Sequence, residues 1–462
     1  MGEDKGLQRR KIRGIPVIMV MALDVALVNL AFYLSFTMRF LGNIPEFNVG
    51  PFLQMAPWLS LAAVILLHAL DLYSKQFNGF MPILRAVLTV SAGLTLCSMV
   101  ITFWLRGFAF PRTVFLIALL LQTALLLAWR VLHWRLEMWI HGQKKLLVIG
   151  HFEEVKQALE KLIGLPQGMF EIVQVLEPEE WEQISRWINR IDAVMIAGSL
   201  DMELKNRIIR YSFDGMKEVF IVPDLYEIIL ARSTFTQIED TPLLECHLMQ
   251  LSFPQAFAKR VLDLAVTALL LIITFPVLII LSAVVKLSSP GPVIYRQERV
   301  GLNGKIFTLY KFRTMVDRAE EESGPVFATE DDDRVTPVGR FLRASRLDEL
   351  PQLFNVLKGD LSFVGPRPER PYFVDQFTRE IAEYALRHLV KPGITGMAQV
   401  AGYYSSETKD KLRYDLYYIS AYSLLLDLKI ILSTIPALFN KSSAQGVKVG
   451  KGQDLIVKGK IE

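Results

Sequence analysis

The sequence is poor in the residues from which metal centres and disulfide frameworks are usually built. It has two cysteines, Cys97 and Cys246, and six scattered histidines among 462 residues. Cysteines this far apart give neither a zinc-ligand spacing nor a disulfide framework. We therefore expect no metal centre built from histidine or cysteine, and a reducing environment around the soluble parts.

An excess of charge of one sign is also missing. The formal net charge is only +4, and no long basic run occurs. Because nucleic-acid binding depends on clustered lysine and arginine, we expect no nucleic-acid partner. Apolar residues, in contrast, make up 52% of the chain, which is more than an ordinary soluble protein carries. The length is enough for two or three domains.

Four apolar runs reach the length of about 20 residues that crosses a bilayer as a helix. They cover residues 14–38, 52–73, 82–105 and 113–133. A signal peptide is the alternative for the first run, but this run is long, lacks a small-residue cleavage site and is followed by further runs. Basic residues before the first run and after the second and fourth predict cytoplasmic ends, although Arg106 and Arg112 near an outer loop weaken this bias.

Two acidic residues lie in or near these runs, Asp24 in the first and Asp71 at the edge of the second. An acid inside a membrane is a functional candidate by default. Pairing with another helix is the interpretation that we favour.

The pattern changes to alternating strands and helices after residue 144, which predicts a parallel α/β domain of Rossmann-like type ending near residue 240. Predicted strands cover Lys145–Ile149, Glu171–Leu176, Asp192–Ile196 and Glu218–Val222, with a first helix over residues 152–163. Gly150 ends the first strand, but the further glycines of a dinucleotide site are missing, and Glu153 and Glu154 would repel a pyrophosphate. A structural or regulatory domain is favoured.

A fifth apolar run, residues 264–285, is interrupted by Pro276 and flanked by basic residues on both sides. Proline removes a backbone donor, so a kink is expected there. Two paths remain open. A re-entrant helix over residues 258–287 would enter and leave one leaflet, whereas a fifth span would put everything after residue 286 outside the cell.

The adjacent acids Asp348 and Glu349 precede a predicted helix over residues 350–358, with Pro351 in its first turn and Gly359 as its stop. Two neighbouring carboxylates can face one phosphorus centre, where one attacks and the other binds Mg²⁺. Arg343 and Arg367 can neutralise phosphate oxygens. An acidic helix cap is the alternative that these residues alone leave open.

Eight motifs in this region resemble those of the bacterial sugar transferases, the polyprenyl-phosphate hexose-1-phosphate transferases. They are Lys259–Asp263, Ser289–Pro292, Gln297–Gly301, Lys311–Met315, Leu347–Gln352, Asn355–Ser362, Val364–Pro368 and Lys391–Gly396. The similarity covers about residues 255–435, and the motifs occur in the family's order. The preceding spans and Rossmann-like domain resemble the large members of the family.

The resemblance implies a two-step reaction on a covalent intermediate. Asp348 would attack the β-phosphate of a UDP-sugar and release UMP, and undecaprenyl phosphate would then accept the sugar-phosphate. Glu349 would hold Mg²⁺, and Arg343 would contact phosphate. The loop Pro366-Arg367-Pro368 would help to bind the uridine nucleotide. The product would start an O-antigen, capsule, exopolysaccharide or S-layer glycan.

The resemblance also implies how the chain is organised. A four-helix membrane domain (1–138), a Rossmann-like domain (139–245) and an α+β transferase domain (246–462) would belong to a multi-pass protein of the bacterial cytoplasmic membrane. Its soluble domains would face the cytoplasm, and it would form a homodimer. Lys259, Arg260 and Asp263 would anchor the re-entrant helix near the lipid phosphate, in contact with membrane lipids.

Some features remain open from the sequence. Small family members often have serine before the helix-breaking proline, where this chain has Phe275. Residues 416–439 are apolar and predicted to be helical, either at the membrane surface or in the core. No motif selects between galactose, glucose and an acetamido sugar. Two functions compete with this interpretation: a sensor or oxidoreductase built on the middle domain, and a non-catalytic scaffold.

Overall fold

The computed structural model describes residues 16–70, 72–73, 79–105, 111–163, 170–231, 233–246, 250–316, 332–401 and 408–438. These residues form two compact units, which divide between Val222 and Pro223. The domain boundaries predicted at 138/139 and 245/246 stay predictions.

The first unit begins with four long helices that overlap the four predicted apolar runs. They are α1 (Val17–Arg39), α2 (Glu46–Ala69), α3 (Phe80–Trp104) and α4 (Arg112–His141). All four are long and apolar enough to cross a membrane. The carboxylate of Asp24 on α1 pairs with Arg130 on α4, and Arg130 also donates to the carbonyl oxygen of Leu72 at 2.7 Å. The predicted interhelical pairing of Asp24 is therefore confirmed, whereas Asp71 lies outside the described residues.

The rest of the first unit is a parallel four-stranded sheet with helices between its strands. Its elements are β1 (Lys144–Ile149), α5 (Phe152–Ile163), β2 (Phe170–Leu176), α6 (Trp181–Ile188), β3 (Ala193–Ile196), α7 (Met202–Asp214) and β4 (Glu218–Ile221). The strand order is β2-β1-β3-β4, and every neighbouring pair is parallel. Residues 146–149 of β1 are buried on both faces, as expected of a central strand between two helical layers.

The second unit contains one long helix, short strands and several short helices. Its elements are α8 (Leu225–Leu230), β5 (Thr234–Ile238), β6 (Thr241–Glu245), α9 (Phe253–Ser288), β7 (Ile294–Val300), β8 (Ile306–Phe312), α10 (Pro337–Ser345), α11 (Gln352–Lys358), β9 (Ser362–Val364), α12 (Pro371–Glu380), β10 (Gly393–Thr395), α13 (Met397–Ala401), α14 (Thr408–Ser420) and α15 (Leu424–Leu438). Strands β5–β6 and β7–β8 are antiparallel hairpins, whereas β9 and β10 are parallel.

Helix α9 continues as a single helix through Pro276, and it is the fifth helix long and apolar enough to cross a membrane. Residues near both ends pack against the same unit. Asp263 contacts β9 near the start, and Val285 packs into the cluster of Phe312 and Leu342 near the end. Many of the apolar residues between them, such as Ile272, are exposed, whereas Leu278 and Leu281 are buried. The predicted re-entrant path through one leaflet stays a prediction.

The apolar stretch predicted to be helical over residues 416–439 is helical in the end of α14 and in α15, with a break between Ser420 and Leu424. The chain turns after Ser420, and the hydroxyl of Ser423 accepts a hydrogen bond from the backbone N–H of Leu426 at 3.1 Å. A serine in this position satisfies a free N–H at a helix start and favours a new helix. The residues after Leu438 lie outside the described part of the chain.

Candidate active site

Asp348 and Glu349 lie together in a 3-10 turn, Leu347–Glu349, between α10 and α11. The residue before this turn, Arg346, has a left-handed backbone with φ of 55°. Such a conformation is uncommon for a residue with a side chain, and it is found where the surroundings impose it, often at functional sites. The helix predicted over residues 350–358 is α11, which begins two residues later at Gln352 and ends at Lys358, with Gly359 as its stop.

Apolar neighbours hold the turn in place. Leu347 and Leu350 pack against a buried cluster that includes Phe312 of β8 and Leu342 of α10. Burying an aliphatic side chain of this size contributes about 1.5–3 kcal/mol. Helix α10 is held close to β8 at Gly339, where the Cβ of any other residue would lie 1.9 Å from the backbone oxygen of Thr314. The turn therefore rests on two packed elements.

Helix α11 is fixed by the buried side chain of Asn355. Its amide nitrogen donates to the carbonyl oxygen of Thr308 at 2.7 Å, and its amide oxygen accepts from the backbone N–H of Tyr310 at 3.0 Å. At the far end, Arg260 of α9 donates to the carbonyl oxygens of Val356 and Leu357. These bonds tie the helix that follows the two acids to both β8 and α9.

The carboxylate of Glu349 is held by two cations. Its Oε1 accepts from Arg367 Nη2 at 2.6 Å and from Lys311 Nζ at 3.2 Å. Burial works to raise the pKa of Glu349, but the charges of Arg367 and Lys311 together outweigh it and hold the pKa well below its usual range. Glu349 is therefore ionised at neutral pH.

Asp348, the adjacent acid, has the opposite electrostatic environment. It is buried, and burial together with the negative charge of Glu349 raises its pKa from 3.8 to about 6, against the opposing charges of Lys311 and Arg343. Arg343 is itself oriented by a 2.8 Å hydrogen bond from its Nε to the hydroxyl of Thr314. The carboxyl group of Asp348 thus remains able to ionise near neutral pH, but at an energetic cost.

A small cleft beside the two acids is lined mainly by cations. Arg299, Lys311 and Arg367 contribute the charges, and Leu309, Gln352 and Pro368 complete the lining. Arg299 is oriented by the backbone oxygen of Pro368 at 2.8 Å and by the side-chain oxygen of Gln297. The opposite end of the loop, Pro366, accepts a 2.9 Å backbone hydrogen bond from Gly393. The three cations of the cleft are of the kind that pairs with phosphate oxygens.

The three residues that were predicted to anchor the start of α9 all contact other elements of the second unit. Lys259 pairs with the buried carboxylate of Asp427 at 2.7 Å, and Asp263 accepts from the hydroxyl and the backbone N–H of β9 residues 362 and 363 at 2.9 Å. Arg260 caps α11 as described above. The three side chains therefore attach the start of α9 to other elements of the unit, and their place near the lipid phosphate stays a prediction. For Lys259, the ion pair with Asp427 competes with the predicted contact to a lipid phosphate.

A family model described as bacterial sugar transferase matches residues 254–441, which include all of these elements from α9 to α15. A UDP-glucose:undecaprenyl-phosphate glucose-1-phosphate transferase of Escherichia coli K12 is 34% identical over 316 residues, 64% of this chain and 68% of that protein. The chain belongs to the bacterial sugar transferase family.

Two further relatives match this chain over shorter parts of their length. A Klebsiella pneumoniae protein with the same description is 40% identical over 261 residues, 55% of this chain and 56% of the relative. A UDP-N-acetylgalactosamine-undecaprenyl-phosphate N-acetylgalactosaminephosphotransferase of Aeromonas hydrophila is 45% identical over 193 residues, 41% of this chain and 45% of the relative. The chain thus spans about half the length of these two relatives.

Lys311 and Arg299 received no role from the sequence alone, although both lie in the family's motifs. A signal was present. Leu309 and Lys311 share one face of β8, and Arg313 follows directly after the strand at the same alternation; Leu309 and Arg313 are buried. A lysine between buried neighbours on such a face requires an acidic partner. That partner, Glu349, lies far away in the sequence and could not be identified without the fold.

The family resemblance implies a Mg²⁺ ion, and the side chains near Glu349 would have to hold it. No group of three or more His, Cys, Asp or Glu side chains suited to a metal occurs among the residues that the structure describes. Mg²⁺ needs less than that, because it is commonly held by one or two carboxylates together with substrate phosphates and water. The ionised Glu349 next to Asp348 fits this requirement, and the hydrogen bonds from Lys311 and Arg367 both go to its Oε1.

Proposed function

We propose that the protein transfers a sugar-1-phosphate from a UDP-sugar to undecaprenyl phosphate, giving undecaprenyl-diphospho-sugar and UMP. The observation that carries the proposal is the pair of adjacent acids in opposite electrostatic environments beside a cationic cleft. The reactions named for the relatives in Escherichia coli and Aeromonas hydrophila support the class of donor and acceptor.

In the first step, a carboxylate oxygen of Asp348 attacks the β-phosphorus of the UDP-sugar. A bond forms between Asp348 and phosphorus, and the bond from this phosphorus to the bridging oxygen breaks, so that UMP leaves. In the second step, an oxygen of undecaprenyl phosphate attacks the same phosphorus and the carboxylate of Asp348 is released. The raised pKa of Asp348 reflects a carboxylate that is poorly stabilised by its surroundings, and such a group is a better nucleophile than a fully neutralised one.

The cations of the cleft act on the phosphate charge. Phosphoryl transfer depends mainly on positioning and on neutralisation of the developing charge. Arg343, Lys311 and Arg367 surround Asp348 closely enough to alter its pKa, so they can also stabilise phosphate oxygens at the point of attack. Glu349 positions Lys311 and Arg367, and it is the residue that would hold Mg²⁺. Bound there with the diphosphate, Mg²⁺ would supply further charge neutralisation.

The contacts of α9 support the re-entrant path. Asp263 and Val285 lie 22 residues apart, a rise of about 33 Å in a straight helix. A spanning helix would separate these residues by most of the hydrocarbon core, which is about 30 Å thick. Both, however, pack against elements of the same unit, and the exposed residues between them are apolar. A helix that dips into one leaflet satisfies both observations.

The membrane setting follows from this path. We place the four N-terminal helices across the bacterial cytoplasmic membrane and the catalytic residues at its cytoplasmic surface, where UDP-sugars are available. The middle domain has the Rossmann-like character that its parallel sheet suggests. A homodimer remains a proposal based on the family resemblance alone.

The decisive experiment measures UMP release by the purified full-length protein in the presence of Mg²⁺ and undecaprenyl phosphate. A panel of UDP-glucose, UDP-galactose, UDP-N-acetylglucosamine and UDP-N-acetylgalactosamine identifies the donor. Asp348→Asn is expected to abolish both turnover and the phosphosugar-labelled protein detected by intact-mass spectrometry. Full turnover by Asp348→Asn would falsify the nucleophile assignment, and absence of UMP release from every donor would refute the transferase.

A further inference from the structure

Behind the cleft lies a buried ion pair that the proposed mechanism does not use. Arg387, in the 3-10 segment Ala382–Leu389, pairs with Asp415 of α14 at 2.8 Å between Nη2 and Oδ2. Both side chains are almost inaccessible to solvent. The hydroxyl of Tyr384 is a second partner of Arg387. Tyr384 belongs to a buried apolar cluster that also contains Leu412 and Leu416 of α14.

A pair of this kind is a poor device for stability alone. Removing two charges from water costs several kcal/mol per ion, and apolar replacements of similar volume are often as stable. The burial of Asp415 is strong enough to raise its pKa to about 6, in spite of the neighbouring charge of Arg387. The pair therefore needs an explanation beyond packing.

The explanation lies in the third contact of Arg387. Its Nη2 also donates to the backbone oxygen of Arg367 at 2.8 Å. Arg367 is the residue whose side chain holds Glu349 at 2.6 Å and lines the cleft. A continuous chain of contacts thus runs from Asp415 through Arg387 and the backbone of Arg367 to the acid beside Asp348.

We propose that Arg387 and Asp415 are positioning residues for donor binding: they fix the backbone of the loop Pro366–Pro368 so that the Arg367 guanidinium meets Glu349 and the diphosphate. This inference rests on the proposed function. Asp415 orients the guanidinium of Arg387, whose Nη2 contacts both Asp415 and the Arg367 carbonyl oxygen while its Nη1 donates to the hydroxyl of Tyr384. Lysine has the same charge but a single nitrogen, so it does not hold these three partners in the planar geometry of the guanidinium.

The test compares Arg387→Lys, Asp415→Asn and Arg367→Ala in the full-length protein, with UDP as the binding probe and UDP-glucose as the donor. Arg387→Lys and Asp415→Asn are each expected to weaken UDP binding and raise KM about tenfold, with kcat changed less than threefold. In the Arg367→Ala background, Arg387→Lys is expected to add less than a twofold change, because its effect passes through Arg367.

Arg413→Lys serves as the control, because Arg413 lies on the same helix as Asp415 and pairs with Asp224 and Asp410 instead. It is expected to leave the UDP affinity unchanged. If the changes in UDP affinity caused by Arg387→Lys and Arg367→Ala multiply in the double variant, the pair of Arg387 and Asp415 is only structural. Lowered thermal stability with unchanged UDP affinity would lead to the same conclusion. If Arg387→Lys does not fold, Asp415→Asn with Arg367→Ala provides the same comparison. Failure of the native protein to bind UDP would instead refute the proposed function.

Discussion

A nucleophilic carboxylate has to be charged, yet Asp348 is buried next to a second carboxylate. The surroundings resolve this conflict by treating the two acids differently. Lys311 and Arg367 are directed to Glu349, which they keep ionised, while Asp348 receives weaker compensation for its burial. The reactivity of the Asp348 carboxylate and the free energy that its charge costs the folded state therefore both come from burial with weak compensation.

Asp348→Asn is expected to stabilise the protein at neutral pH while it removes activity. The pKa of Asp348 is raised in the folded state, so the folded protein binds this proton more tightly than the unfolded chain. Ionisation of Asp348 costs the folded state nothing below its unfolded pKa of 3.8, and the cost grows as the pH rises towards the raised pKa of the folded state. Thermal unfolding in detergent should show a higher midpoint for the variant at pH 7.5 and no difference at pH 4.

The exposed carboxylate of Asp375 on α12 provides the control for this prediction. Asp375→Asn should not change the unfolding midpoint at either pH. A lower midpoint for Asp348→Asn at pH 7.5 would contradict the assignment of a destabilising charge at Asp348.

Lys311→Met is expected to lower activity and to move the acid limb of the pH profile upwards. Lys311 opposes the burial of both acids, so its removal raises the pKa of Asp348 further and also weakens the ionisation of Glu349. UMP release measured from pH 5 to 9 should reach half of its maximum at a higher pH than in the native protein. Lys358→Met, which removes an exposed lysine near Tyr310, should leave the profile in place. An unshifted profile for Lys311→Met would argue against the electrostatic account.

At the scale of elements, the site depends on a short helix that has little stability of its own. Helix α11 has seven residues, and isolated helices of this length do not form in water. It is maintained by its contacts, chiefly the two hydrogen bonds of Asn355 to β8 and the two of Arg260 to its last carbonyl oxygens.

Asn355→Ala is accordingly expected to destabilise the transferase unit. The change leaves the backbone N–H of Tyr310 and the carbonyl of Thr308 without their partners in a partly buried position, at a cost of about 2–4 kcal/mol. Thermal unfolding should shift to a lower midpoint, and UMP release should fall because the turn with Asp348 is attached to α11. Gln376→Ala, which removes an exposed amide, should cause neither effect. A native unfolding midpoint in Asn355→Ala would refute this role.

Local patterns predicted most elements but not the contacts between them. The helix over residues 152–163 and the strands of the middle domain were expected from periodicity, and the structure has them within one or two residues. The division of residues 416–439 was missed, because the whole stretch is apolar and the capping role of Ser423 becomes visible only in the fold. The partners Lys311 and Glu349 are 38 residues apart, and no local rule relates them.

At the scale of the whole molecule, the open question is on which side of the membrane each end of α9 lies. A spanning α9 and a re-entrant α9 place the same residues at the start of the helix, but they place the residues after it on opposite sides. The two paths therefore differ in one measurable property, the side from which residues after Ser288 can be labelled.

Cysteine labelling with a membrane-impermeant maleimide is the final test that we propose. In a background with Cys97 and Cys246 replaced by serine, Phe253→Cys and Lys305→Cys introduce exposed thiols before and after α9. The re-entrant path predicts that both are labelled only after the cytoplasmic side is opened, because both ends of α9 pack on the same unit. Asn43→Cys, between α1 and α2, is the control that should react in intact cells. Labelling of residue 305 in intact cells would establish a fifth span and separate Asp348 from cytoplasmic UDP-sugars.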